Sequence, residues 1–470
     1  MSIHEDALKM CNNPKEYFNN DGYNAHHMPL EELHAMQLAG AQARFSALRD
    51  QIPVLQSVAD NLGIDKVDSF EAIGLLLFPH TMYKSYPSSF LEKSRFTDLT
   101  KWLDRLTAVS ISSLPVGDCE TIDEWLDVLD DESQLRVLHS SGTSGTMSFL
   151  PRTKREYETF FGLTRMCLLE ALKEELRPGD NDFFHVISLG FSTGRSGALR
   201  AQQAFREQLA GSDDRYHPLH DVPMSSDVMY MAARLRRAEA RGEIDSLVVN
   251  PKIRARRQEF EETQRSLAQS IRRLFDEVIA GLIDQRVFMV GMWSQLQAVA
   301  GEGLARGITE AFAPGSIVQG GGGAKGAVME DGWEDDVKRF AGVQRFMNTY
   351  GMSELMSVNY LCEDDRFHLQ PWIVPMILDP DSSKPLPRAG VQTGRAGFMD
   401  LLAQTYWGGF ISGDEVTIDW LPCRCGRTSP NLKNDIRRFS DKQGGDDKIN
   451  CAAADEAHGA AINFLASDLG

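Results

Sequence analysis

HSSGTSGTMSFLPRTK, residues 139–154, is the stretch on which the reading of this chain turns. Between Ser140 and Thr146 the hydroxyl residues Ser140, Ser141, Thr143, Ser144 and Thr146 are interleaved with Gly142 and Gly145. Glycines let a backbone turn tightly and approach an anion, while hydroxyls and exposed N–H groups donate to phosphate oxygens. The apolar run Leu135–Leu138, interrupted by Arg136, leads straight in, so the loop is predicted to hang from a strand. Arg152, Lys154 and Arg155 follow and are expected to neutralise phosphate charge. The spacing is not that of a Walker A loop, which sets a lysine at a helix start. Taken alone, the loop reads equally well as a Gly/Ser surface turn.

Outward from the loop, apolar runs alternate with helical periodicity. Towards the N-terminus, residues 30–62 read as a helix that Pro53 interrupts, and short helices are predicted at 100–110 and 122–131. LLLFPHTMYKSYP (75–87) reads as a core strand leaving into a turn. Towards the C-terminus, 155–176 is a helix ended by Pro178–Gly179, and FFHVISLGF (183–191) is a buried strand followed by STGRSG. Strands are predicted at 246–250, 287–291, 316–320 and 345–351, with helices at 253–285 and 293–306. This alternation predicts an α/β fold with parallel sheets flanked by helices, whose ligands bind beyond the carboxyl ends of the strands. The last third changes to short strands and turns, which predicts a smaller β-rich lobe. The expected division is a large domain over 1–435, with the lobe at 355–435, and a short C-terminal piece at 436–470.

Three further stretches sit where such a sheet would present them. GGGGAKG (320–326) follows a strand, and four glycines suggest close approach of a flat ligand to the backbone. YGMSE (350–354) offers an aromatic face and a hard carboxylate oxygen. GFISGDEVTI (409–418) places Asp414 in a Gly-Asp turn.

Together, in this order, the four motifs resemble those of the adenylate-forming superfamily of acyl-CoA ligases, luciferases and peptide-synthetase adenylation domains. The S-F-L-P-R tail and PCRCGRTSP (422–430) look closer to phenylacetate-CoA-ligase-like enzymes and to bioluminescence acyl-protein synthetases. The tail also resembles that of the plant auxin–amino acid conjugating enzymes. The resemblance implies that Ser140, Ser141, Gly142, Thr143, Ser144, Gly145 and Thr146 hold the phosphates of ATP. It implies that Gly321, Gly322 and Gly323 line the adenine and that Tyr350, beside Gly351, stacks on it. Ser353 would touch the α-phosphate, Glu354 would hold Mg²⁺, and Asp414 would bind the ribose hydroxyls. The acid would lie near His185, Phe191, Ser192 and Thr193, placed by their position at the central strand. The superfamily lysine is missing from the loop, and GGDDKI (444–449) has glycine where the hinge arginine belongs. Arg437 or Arg438 is the candidate replacement, and Lys325 or Lys448 the candidate catalytic lysine. The implied reaction is ATP-dependent activation of a carboxylic acid to an acyl-adenylate with release of pyrophosphate, then transfer to a thiol, that of CoA or a protein. Transfer to an amine and a non-catalytic nucleotide-binding module are the alternatives.

Cys362, His368, Cys423 and Cys425 form C-x5-H and C-x-C pairs expected to meet in the lobe, and three thiolates with one imidazole suit a structural Zn²⁺. Four unrelated residues are the competing reading. At 470 residues the chain exceeds a single core, and 42% hydrophobic with 25% charged residues is ordinary globular composition. With 49 basic against 67 acidic residues, the net charge of −18 argues against nucleic acid or an anionic membrane as partner. The start lacks the pattern of a secretory signal, no run is long enough to span a bilayer, and seven cysteines are too dilute for a disulfide scaffold. The cytoplasm is the expected location.

Overall fold

The computed structural model describes residues 2–140, 146–172, 179, 182–242, 267–321, 329–379, 382 and 384–439. The strands among them, in chain order, begin with β1 (Phe78–Pro79), β2 (Leu138–His139) and β3 (Phe149–Leu150). Next come β4 (His185–Gly194), β5 (Tyr216–Met224), β6 (Val287–Met292), β7 (Ile317–Gly321), β8 (Thr349–Tyr350) and β9 (Asn359–Tyr360). The last are β10 (Arg366–His368), β11 (Ile373–Leu378), β12 (Val391–Asp400), β13 (Gly409–Asp419), β14 (Asn431–Lys433) and β15 (Arg437–Arg438).

The α/β reading holds. Four parallel strands form one sheet in the order β5-β4-β6-β7. Their apolar runs are continuous because both faces are covered, and alternate residues point to opposite sides. Ile187, Leu189, Val287, Met289 and Val318 pack under the helices Leu267–Glu277, Trp293–Ala305 and Trp333–Ala341. Val186, Phe288 and Ile317 face the other way, into the larger core. Strand β5 escaped the sequence reading because Pro218 and Pro223 break its pattern. It lies at the sheet edge, where proline is tolerated.

The second sheet is the β-rich lobe, in the order β10-β14-β13-β12-β11, with β15 also on β13. It is not confined to 355–435, since β1 pairs in parallel with β13 through Phe78↔Phe410. The helix Leu30–Leu48 lies against this lobe and buries polar groups there. Its Gln37 Nε2 donates to the carbonyls of Pro371 and Ile373, and Arg44 Nε to that of Leu401. The predicted 30–62 helix is two helices, because Pro53 opens the second at Val54's turn. The predicted 155–176 helix likewise divides into Lys154–Phe161 and Thr164–Ala171.

Other expectations shift. RFMNTYG gives only β8, paired antiparallel with β9, outside the parallel sheet. The predicted strand 246–250 and the first part of the 253–285 helix lie outside the described residues, as does everything after 439. No described helix is long and apolar enough to cross a membrane.

Candidate functional site

The loop is closed at its base by the β2–β3 pair, with Leu138↔Leu150 and His139↔Phe149 in register. Ser140 N–H donates to the Ser148 carbonyl (3.1 Å), and Ser140 Oγ accepts from Ser148 N–H (2.9 Å). Ser140 thus clamps the neck of the loop. Ser141, Gly142, Thr143, Ser144 and Gly145 lie outside the described residues, and Thr146 emerges half-buried. His139 is fully buried, and burial pulls its pKa down to about 4, so the ring is neutral. Its neighbours assign the tautomer: Nδ1–H donates to the Ser140 carbonyl, while Nε2 accepts from the Ser226 hydroxyl, each at 3.0 Å.

Two distant segments meet the loop's stem. His139 N–H donates to the Arg195 carbonyl (3.0 Å), in the turn that follows β4. Gly197 then opens the helix Gly197–Ala204. A Cβ on Gly197 would stand 3.0 Å from Ser353 Oγ and 3.7 Å from Leu138 Cδ1, so the absence of a side chain lets all three elements close up. The Tyr-Gly-Met-Ser-Glu step is braced from several sides. Asn359 Nδ2 donates to the Tyr350 carbonyl (2.9 Å), Met356 N–H to Asp400 Oδ2 (2.6 Å), and Arg152 Nη2 to the Ser353 carbonyl (2.7 Å).

Arg152 corrects an expectation. It is 2% exposed and also bonds Tyr406 through Nε (3.0 Å), so it positions the step from behind. Lys154 and Arg155 point to solvent from the next helix, where Lys154 meets Glu158. None of the three is placed as the loop's phosphate cation.

Glu354 is half-buried beside this junction. Loss of water raises its carboxyl above the ordinary range, while its own backbone N–H and the cations of Arg152, Lys84 and Arg438 pull it back. Its carboxylate offers the hard oxygen that a divalent metal such as Mg²⁺ takes. Tyr350 differs from the stacking role the resemblance implied. It is 8% exposed, its ring lies near Phe367 and Phe398, and its hydroxyl donates to Asp414 Oδ2 (3.1 Å). Asp414, itself 5% exposed, pairs through Oδ1 with Arg438 Nε (3.1 Å). Tyr350, Asp414 and Arg438 therefore form one chain of contacts, and Gly351 beside Tyr350 is exposed.

Other residues do not converge. His185 opens β4 at its amino end and meets His217 (3.3 Å). Eight residues of strand put it roughly 25 Å from Thr193, because each rises ~3.3 Å. Phe191, Ser192 and Thr193 do lie towards the carboxyl end, and Phe191 packs on His220. At the glycine run, a Cβ on Gly320 would fall 2.2 Å from the Trp293 indole, so a protein ring and not a ligand explains that glycine. Gly321 is open, whereas Gly322, Gly323 and Lys325 lie outside the described residues.

In the lobe, Cys362, His368, Cys423 and Cys425 come together with their ligand atoms all within 4.8 Å of one another. Cys362 and Cys423 sulfurs are 3.9 Å apart, and Cys425 Sγ is 3.2 Å from His368 Nε2. A tetrahedron with Zn–S of about 2.3 Å has sulfurs about 3.8 Å apart, so the set fits zinc. Hydrogen bonds from Cys362 and His368 push the Cys425 thiol down, and the Cys362 thiol rises in step. Ser429 Oγ lies 3.1 Å from His368 Nδ1, which fixes the ring with Nε2 inward.

No family model matches the chain, and no curated protein matches it. Among solved structures, it is similar to an open conformation of 2-hydroxyisobutyryl-CoA ligase in complex with 2-HIB-AMP and CoA. The identity is 15%, covering 89% of this chain and 72% of that one, with a TM-score of 0.49. It is also similar to ATP-bound MatB from Rhodopseudomonas palustris (13% identity, 63% of this chain, 46% of that one, TM-score 0.33). A third is the long-chain-fatty-acid-CoA ligase FadD1 from Archaeoglobus fulgidus (11% identity, 68% of this chain, 56% of that one, TM-score 0.33). The chain spans about half the length of these last two. At TM-scores below 0.5 the likeness leaves function to the side chains.

Proposed function

We propose that the chain is an adenylate-forming ligase, which activates a carboxylic acid with ATP and passes the acyl group to a thiol. One observation carries this reading. Leu138 at the loop's stem, Gly197 at a helix start and Ser353 of the Tyr-Gly step, far apart in sequence, crowd onto one point beside Glu354. A phosphate loop, a helix N-terminus and a carboxylate with cations around it make a triphosphate site.

In the reaction, an oxygen of the substrate carboxylate attacks the α-phosphorus. The bond from that phosphorus to the bridging oxygen breaks, and its electron pair leaves with pyrophosphate. Such chemistry depends on alignment and charge neutralisation. Ser353 and the loop hydroxyls orient the α-phosphate, and Arg152 fixes Ser353 from behind through its carbonyl. Glu354 would hold Mg²⁺, which when bound would offset phosphate charge. Asp414 takes the ribose hydroxyls once Arg438 swings aside. Phe191, Ser192 and Thr193, at the carboxyl end of β4, flank the acid. The cysteine–histidine set holds a structural zinc, since four protein ligands leave no open position.

ATP–pyrophosphate exchange across a panel of carboxylic acids tests the reading. Exchange that depends on one acid class is the expected result. ATP binding with no exchange for any acid would replace the ligase with a silent nucleotide-binding module.

A further inference from the structure

The cysteine–histidine set of the lobe is held from behind by a segment that lies far away in the sequence. Ser429 Oγ is 3.1 Å from His368 Nδ1 and 2.9 Å from His26 Nδ1, although His26 stands 403 positions earlier. His26 closes the short helix Gly22–His26 and is 3% exposed. Its carbonyl accepts from the N–H groups of Thr428 (2.9 Å) and Ser429 (3.2 Å), and the Met28 carbonyl accepts from the Thr428 hydroxyl (2.8 Å). On its other flank, His26 Nε2 stands 3.9 Å from Glu170 Oε2, on the helix Thr164–Ala171. Glu170 Oε1 accepts from Arg427 Nε (2.7 Å), and Arg427 Nη1 donates to Cys425 Sγ (3.2 Å). A Cβ on Gly22 would fall 2.5 Å from Glu170 Cβ, so that glycine lets the two helices touch. The circuit leaves one ligand, His368, and returns at another, Cys425.

The protons on this circuit depend on the metal. A metal on His368 Nε2 leaves that ring's proton on Nδ1, which donates to Ser429 Oγ. A hydroxyl has a single proton, and that of Ser429 then goes to His26 Nδ1. Burial disfavours a charged imidazole, so His26 keeps one proton, on Nε2, where it faces the Glu170 carboxylate. Three thiolates around Zn²⁺ leave one negative charge, which the Arg427 guanidinium meets at Cys425. Without the metal, the His368 proton can sit on Nε2 instead, and the bonds through Ser429 reverse. His26 then turns a bare nitrogen towards Glu170, which favours separation of the two segments.

We propose that His26 and Ser429 are positioning residues of the metal centre, so that metal binding in the lobe and docking of residues 22–28 are one coupled equilibrium. The inference rests on the zinc reading above. Coupling is reciprocal: whatever the metal contributes to docking, docking contributes to metal affinity.

The experiment compares wild type with His26→Leu, His26→Asn and Ser429→Ala, each in the full chain. Zinc affinity is measured by competition with a chromophoric chelator, and melting temperature with and without zinc. Backbone hydrogen exchange is followed before and after chelation. His26→Leu and Ser429→Ala should each lose about tenfold to a hundredfold in zinc affinity. Asparagine places an acceptor near the position of Nδ1, so His26→Asn should recover part of the loss. In wild type, chelation should speed exchange in residues 22–28 together with 423–429. The rise in melting temperature on zinc loading should shrink in His26→Leu, whereas a merely structural role would lower the loaded and metal-free forms equally. Zinc affinity equal to wild type in His26→Leu and Ser429→Ala, or unchanged protection of 22–28 after chelation, overturns the proposal and leaves the zinc site standing. Wild type that binds no zinc overturns both, with the ligase reading untouched. Should His26→Leu not fold, Ser429→Ala is read by the same criteria.

Discussion

The two polar clusters of this molecule are built on opposite plans. In the lobe, four ligand atoms point inward at one centre and hold one another within 4.8 Å. Around the Tyr-Gly step the polar groups are instead held one by one from other segments: Arg152 on the Ser353 carbonyl, Tyr350 on Asp414, Ser148 on Ser140. A convergent, closed set leaves no room for a reactant, and its energy goes into folding. A divergent set with its supports behind it is what binding something larger than an ion requires.

The sharpest way to break that contrast is Glu354→Gln. On the proposed role of Glu354 as the Mg²⁺ ligand, losing its charge should lower exchange by about a hundredfold to a thousandfold, the scale of removing one electrostatic stabiliser at a reacting centre. Stability should move the other way. Glu354 has a raised folded pKa, so ionising it at neutral pH costs folding free energy, and the neutral amide removes that cost. A melting temperature equal to or above wild type, with exchange nearly gone, is the expected pair of results. Retained exchange with a falling melting temperature would make Glu354 a structural residue.

The lobe should answer in reverse. Cys425→Ser should cost more than about 3 kcal/mol of stability, the range reached by single changes that destroy a metal site. Elemental analysis should find about one zinc per chain in wild type and little in the variant. If wild type, never exposed to chelator, holds less than about a tenth of an equivalent, the four residues are a thiol cluster and the proposed division of labour loses its structural half.

How much of this was legible in the sequence follows from how each signal is written there. Cys362, His368, Cys423 and Cys425 were readable as a set because two short spacings each fix a turn, and turns carry their geometry locally. The four motifs were readable because glycine and hydroxyl residues concentrate at them. His185 was misplaced for a reason equally physical: an apolar run shows that a strand exists but not how far it runs. Gly320 read as a ligand approach, since nothing in the run reveals that Trp293 from the next helix fills the space. Arg152 read as a loop cation because a charge beside a loop has no marker of burial. Asp400, which receives Met356 N–H, and the pair Asp123–Asp227 carry no spacing signal. Their partners come from segments tens to about a hundred residues away.

That last pair gives the smallest predicted effect and ties the crevice to the helices behind it. Asp227 accepts from the N–H groups of Ile122 (2.8 Å) and Asp123 (3.0 Å), which cap the helix Ile122–Glu132. Asp123 returns the favour at the helix beginning with Ser226, accepting from Ser226 N–H (2.9 Å), and Ser226 in turn bonds His139 at the loop's stem. Two carboxylates capping each other's helices cannot both ionise freely. Burial and then the charge of Asp123 push Asp227 up to about 7. Burial also works against Asp123, but hydrogen bonds from Ser225 and Ser226 prevail and hold it low. With its folded pKa above the unfolded one, Asp227 binds a proton in the native state that the unfolded chain has released. Its contribution is fully present below about pH 4 and is lost as pH rises through about 7. Over that window this site should make stability decline with pH at a slope approaching about 1.4 kcal/mol per unit. Asp227→Asn keeps one acceptor for the cap and removes the titration. Urea unfolding at pH 5 and pH 7.5 should therefore show a smaller difference in the variant than in wild type. An unchanged difference would assign the pH response to other groups and leave the two aspartates as caps alone.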